Sequence, residues 1–203
     1  MVSLLDANDA QAQRLQSQQR ILDAARAEVV ARGILGMRVA AVAASAGCSL
    51  TLMYRYFGSR EGLLAEVLLG LYEESFARQF QDTRRLLEGS NSISVEDVLE
   101  CIPLPHGSGA SKEHSIRNQV LAVASTNPIL RSRLSASLRE KRQMLGTVLN
   151  QIDARLPDGV SLDHEVFTTL IFNINWIYND LLGDVATSNE QYRNLMRRLI
   201  VQN

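Results

Sequence analysis

The chain has 203 residues, a formal net charge of −1, 46% hydrophobic and 21% charged residues. Its longest apolar runs fall far short of the ~20 residues a membrane-spanning helix needs, and its first residues are polar and acidic, unlike an export signal. A cytoplasmic protein is therefore expected, and Cys48 and Cys101, far apart in sequence, read as two free thiols with neither a disulfide framework nor a metal site.

Residues 1–13 read as a flexible lead, 14–58 as a small head domain and 59–203 as a larger body. Within the head, Val39, Val42, Ala43 and Ala46 form one apolar helical face. Gly47 can take the left-handed conformation that ends a helix, and Ser49 can cap the next one through its hydroxyl. That next helix, residues 50–57, is too short to be stable alone, so its neighbours must hold it. It offers Leu50, Thr51, Tyr54 and Arg55 on an outer face and Leu52, Met53 and Phe57 to the interior. Between residues 12 and 62, Arg14, Arg20, Arg26, Arg32, Arg38, Arg55 and Arg60 face only Asp23, Glu28 and Glu61. A basic head on a chain of near-zero charge suits a site-directed DNA binder better than a general polyanion binder.

These residues resemble the amino-terminal head of the TetR family of bacterial transcriptional regulators. The resemblance rests on Ala46-Gly47-Cys48-Ser49, on Met53-Tyr54-Arg55-Tyr56-Phe57 and on Ser59-Arg60-Glu61-Gly62-Leu63. Upstream, Ile21-Leu22-Asp23-Ala24-Ala25 and Arg32-Gly33-Ile34 resemble the family's first helix and its glycine stop. The likeness spans roughly residues 14–70 and fades beyond them. It implies that Ser49, Tyr54, Tyr56 and Arg60 grip phosphates, and that Leu50, Thr51 and Arg55 read bases. Arg38 stands where the family usually has Thr or Ser; it cannot cap a helix but can reach phosphate by charge.

Downstream, the apolar period is helical and no strand pattern competes. Leu63, Leu64, Val67, Leu68, Leu71, Phe76, Phe80 and Leu87 fit one helix over residues 59–88, ~40 Å long at 1.5 Å per residue. Gly89-Ser90-Asn91-Ser92 breaks it, and Ser94 with Glu96 and Asp97 starts a short helix to about residue 102. Residues 103–109 form a Pro- and Gly-rich loop, and a helix over 111–125 follows. Asn127-Pro128 opens a longer helix to about residue 156, and Pro157-Asp158-Gly159 is a turn. The last helices are expected over 161–182 and 188–201.

In the body, Phe76, Phe80, His106, His114, Phe172, Asn173 and Trp176 are candidates to line a small-molecule pocket, although histidines flanking a Pro- and Gly-rich loop are more commonly solvated loop residues. A buried amide such as Asn173 needs a partner, because an unpaired one costs ~1–3 kcal/mol, and either a ligand or a neighbouring helix would serve. Phe167, Ile171, Ile174, Tyr178, Tyr192, Leu195 and Leu199 give the last two helices apolar faces. The resemblance implies that these helices pair with their copies in a homodimer; they could also simply close the core of one chain.

The expected fold is all-α, with an amino-terminal three-helix helix-turn-helix head and a larger helical ligand-binding and dimerisation body. The expected function is a repressor of a palindromic double-stranded DNA operator, released by a small-molecule inducer. The alternatives are a DNA-binding regulator answering to a protein partner or acting architecturally, and an enzyme. Against the enzyme, the sequence has no Ser/His/Asp order, paired-acid site, glycine-rich phosphate loop or His-Glu-x-x-His spacing, and nothing in it asks for a cofactor.

Overall fold

The computed structural model describes residues 4–102, 110–173 and 185–202, and most of the described residues are helical. The chain divides into two units, the first holding residues 1–70 and 126–131, the second 71–125 and 132–203.

The first unit starts with α1 (Leu4–Gly36). The helix takes in residues 4–13 of the expected flexible lead; that stretch has no Gly or Pro and is rich in good helix formers. Ile21, Ala25 and Val29, each a turn apart, form its buried face. Gly33 interrupts it with a φ of 74°, the expected glycine stop. The short helices α2 (Val39–Ser45) and α3 (Leu50–Phe57) follow, then the first half of α4 (Arg60–Gln79). Val42, Met53, Leu63, Leu64 and Leu68 are buried from three of these helices, which is how an eight-residue helix can persist. Asn127 caps α8 (Pro128–Asp153): its Oδ1 accepts from the Leu130 N–H at 3.0 Å, and its Nδ2 donates to the Glu61 carbonyl at 3.2 Å.

The second unit corrects the expected rod over residues 59–88. It stops at Gln79 and resumes as α5 (Gln81–Gly89), with Phe80 between them at φ −101°, ψ 7°. No Gly or Pro marks the break. At the break Phe80 lies against Phe76, with ring centroids 4.6 Å apart. Next comes α6 (Val95–Cys101), fixed by a capping box in which the Ser94 hydroxyl accepts from the Asp97 N–H and the Asp97 carboxylate accepts from the Ser94 N–H. Beyond it lie α7 (Ala110–Ala124) and the remainder of α8.

The expected helix over 161–182 gives way at its start to strand β1 (Val160–Leu162), so that α9 begins at His164 and is described to Asn173. The last helix, α10 (Asn189–Arg198), stops short of the expected residue 201, because Ile200–Gln202 form β2. The strands pair antiparallel in the register Val160 with Gln202, Ser161 with Val201 and Leu162 with Ile200. Asp153 at the end of α8 secures this ribbon: its Oδ1 accepts from the Leu162 N–H at 2.8 Å and its Oδ2 lies 2.5 Å from His164 Nε2. With that small ribbon added, the all-α class stands. The core of this unit gathers Leu99, Leu145, Leu149, Phe167, Tyr192 and Met196 among others.

Candidate nucleic-acid interface and body cavity

The turn that presents α3 is built from backbone hydrogen bonds. The Cys48 N–H donates to the Ala43 carbonyl at 3.0 Å and the Gly47 N–H to the Ala44 carbonyl at 3.2 Å, with Gly47 at φ 62°. This is the paired closure of a helix end that requires a left-handed residue, hence glycine. Ser49 then starts α3 with its Oγ accepting from the Leu52 N–H at 3.1 Å. The hydroxyl hydrogen is left to donate outward.

Anchoring from below and presentation from above follow the helical period. Met53 is fully buried, Leu52 and Phe57 half-buried, while Leu50 (43% exposed), Thr51, Tyr54 (41%) and Arg55 face solvent. The rings of Tyr56 and Phe57 pack edge to face, centroids 6.4 Å apart. Tyr56 is half-buried, packed and accessible at once.

After α3, Gly58 turns the chain at φ 77° and Ser59 caps α4, its Oγ accepting from the Gly62 N–H at 3.1 Å. Arg60 is half-buried and makes a long 3.5 Å contact from a terminal nitrogen to the Met37 carbonyl. Its role is thus partly structural, tying the start of α4 to the residue before Arg38. Arg38 occupies the N-cap position of α2 with extended backbone and no capping hydrogen bond from its side chain, which is exposed. Ser49, Leu50, Thr51, Tyr54 and Arg55 therefore share α3 and its cap, with Tyr56 at its edge and Arg38 and Arg60 on the flanking elements. Sequence reasoning missed Gly62, whose first turn passes so close under the end of α3 that a Cβ would strike the Phe57 carbonyl.

In the body, the structure brings together three of the candidate pocket residues, with Phe76 and Phe172 centroids 6.0 Å apart and Phe80 against Phe76. Phe80 also lines a cavity of about 40 Å³ shared with Leu86, Val98, Ile102, Val148 and Ile171, and with Thr83 and Cys101 as its polar side chains. Burial, with Asp82, Asp97 and Glu100 nearby, pushes the Cys101 thiol up, so it is held protonated. Thr83 and Cys101 carried no pattern that marked them beforehand. Trp176, Ile174, Tyr178 and His106 lie outside the described residues, as do the side chains of His114 and Asn173.

Of the residues expected at a dimer seam, Phe167 (2% exposed) and Tyr192 (5%) are already covered within one chain, Ile171 and Leu199 pack partly against the same core, and Leu195 is 46% exposed.

Residues 21–67 match the family described as bacterial regulatory proteins, tetR family. No protein of curated function matches the chain. Several solved structures share its fold, among them the following three. A TetR-family regulator from Mesorhizobium loti is 20% identical, with 91% of each chain covered and a TM-score of 0.60. A regulator from Saccharomonospora viridis, solved with choline, is 20% identical over 93% of this chain and 99% of its own, with a TM-score of 0.59. The multidrug binding protein EbrR, solved with imidazole, is 24% identical over 90% of this chain and 94% of its own, with a TM-score of 0.58. Residues 21–67 thus match the amino-terminal domain of the TetR family of bacterial regulatory proteins, and the chain as a whole has the fold of these solved regulators.

Proposed function

We propose that the chain is a cytoplasmic homodimeric repressor that grips a short palindromic operator through α3 and lets go when a small molecule fills the body. The observation that carries the DNA-binding reading is the outer face of α3, where Leu50, Thr51, Tyr54 and Arg55 stand exposed over a fully buried Met53. An arginine fork matches the O6 and N7 acceptors of guanine, and leucine methyls match the thymine methyl. The hydroxyls of Ser49, Tyr54 and Tyr56 and the guanidinium groups of Arg38 and Arg60 would contact phosphates, fixing register without reading sequence. Two heads are needed to reach half-sites about 34–36 Å apart, hence the dimer.

Release requires that the ligand bind the released state more tightly than the DNA-bound one; a tenfold preference is worth about 1.4 kcal/mol. Residues of α4 and of α8 belong to both units, which makes these helices covalent routes between ligand and head. The solved relatives holding choline and imidazole support a ligand-binding body. The second reading is a regulator answering to a protein partner; among the described residues the body cavity measures about 40 Å³, against the ~300–1,000 Å³ that ligand pockets usually enclose.

Selection of bound duplexes from a random pool, with the complex sized by light scattering, tests the proposal. Enrichment of a palindrome bound by one or two dimers supports it. A folded, ligand-stripped protein that enriches no sequence overturns it. Small-molecule screening against the enriched duplex then separates the two readings of the body.

A further inference from the structure

We infer that Arg14, which lies upstream of the segment matching the family, is a phosphate-contacting residue of the DNA interface, aimed by the ring of Tyr56. The inference rests on the DNA-binding reading above. Residues 14, 18, 21, 25 and 29 fall on one face of α1, separated by four, three, four and four positions. Ile21, Ala25 and Val29 bury that face, Gln18 is half-buried, and Arg14 is the next residue along, where the face leaves the core and becomes exposed. There its guanidinium carbon stands 5.9 Å from the centroid of the Tyr56 ring. Phe57 supports the same ring edge to face.

A cation–π contact to a ring uses none of the guanidinium N–H donors and leaves them for another partner. An arginine already placed over a ring also loses less freedom when it forks onto phosphate. Among the described residues Arg14 forms no ion pair, whereas Arg32 on the same helix is bound to Glu28 at 3.0 Å and Arg20 donates to the Ser17 hydroxyl. Arg14 is thus a cation held beside α3 with its donors uncommitted.

The test measures affinity against salt for the wild type, Arg14→Ala, Arg14→Gln and Arg55→Ala, using the duplex enriched by selection and a mixed-sequence 30-base-pair duplex. A phosphate contact is indifferent to sequence, so Arg14→Ala and Arg14→Gln should weaken both duplexes by a similar factor, about 3–10-fold, and lower the slope of log affinity against log salt by ~0.9. Both replacements favour helix, and unchanged circular dichroism and melting temperature will confirm folding. Unchanged affinity and slope, with Arg55→Ala still impaired on the enriched duplex, would overturn the inference and leave the DNA-binding reading standing. Loss confined to the enriched duplex would also overturn it, since Arg14 would then read a base. A wild-type protein that binds neither duplex would remove both.

Discussion

The carbonyl oxygen of Phe57 occupies the space that a Cβ on residue 62 would need. The end of α3 and the first turn of α4 pass at backbone contact, and Gly62 is what permits it. Gly62→Ala must move main chain, not the free end of a flexible side chain, and is expected to lower stability by at least ~2 kcal/mol and to displace α3. Gly70→Ala and Gly146→Ala are the controls. Both sites are helical with open space where a Cβ would go, and alanine there should raise stability by ~0.5–1 kcal/mol. Thermal unfolding of the three variants decides the point; a Gly62→Ala protein as stable as the wild type would refute the close approach.

Ser49 does two jobs that substitution can separate. Its Oγ caps α3, and its hydroxyl hydrogen is available to phosphate. Ser49→Ala should cost about 1 kcal/mol of stability, while Ser49→Asp retains a capping acceptor and should stay near the wild type. On DNA the order reverses: a carboxylate facing phosphate should lower affinity tenfold or more and the alanine variant less. Affinities in parallel order with stabilities would mean that Ser49 acts on DNA only through folding.

Arg55 is exposed beside Tyr54 on the presenting face. If its fork takes guanine, Arg55→Ala costs ~1–3 kcal/mol on the preferred duplex and relaxes preference at one position of each half-site. Tyr54→Phe removes a hydroxyl from a 41% exposed side chain and should weaken all duplexes alike at no cost in stability. Repeating the selection with each variant checks both. An unchanged preference for Arg55→Ala would place that side chain on the backbone.

How much of this was readable beforehand depends on the range of the chemistry involved. Gly47, Ser49 and the inward Met53 follow from local rules acting over a few residues, and the sequence shows them. The break at Phe80 does not, because no Gly or Pro announces it. The β1–β2 ribbon pairs segments about 40 residues apart and only three residues long, too short for alternation to register. Thr83 and Cys101 reach the cavity through the same tertiary packing. Arg14 falls between these cases, since the period of α1 puts it on the core-facing stripe but only the fold puts Tyr56 beneath it.

Tyr192 supplies a test of the body that needs no DNA. Burial among the side chains around Met196 and Phe167 pushes its phenol from 10.0 up to about 12. Below pH 10 the folded and unfolded chains both keep the proton, and the contribution of the buried phenol is complete. Between pH 10 and 12 the unfolded chain ionises first, so stability falls as pH rises through that window. Tyr192→Phe cannot ionise and should lose less stability over the same range, the gap reaching about 1.4 kcal/mol at pH 11. Urea unfolding of both proteins at pH 8, 10 and 11 measures it. Identical alkaline profiles would mean that the phenol reaches water in the folded protein, and with it that α10 does not close the core of the body through Tyr192.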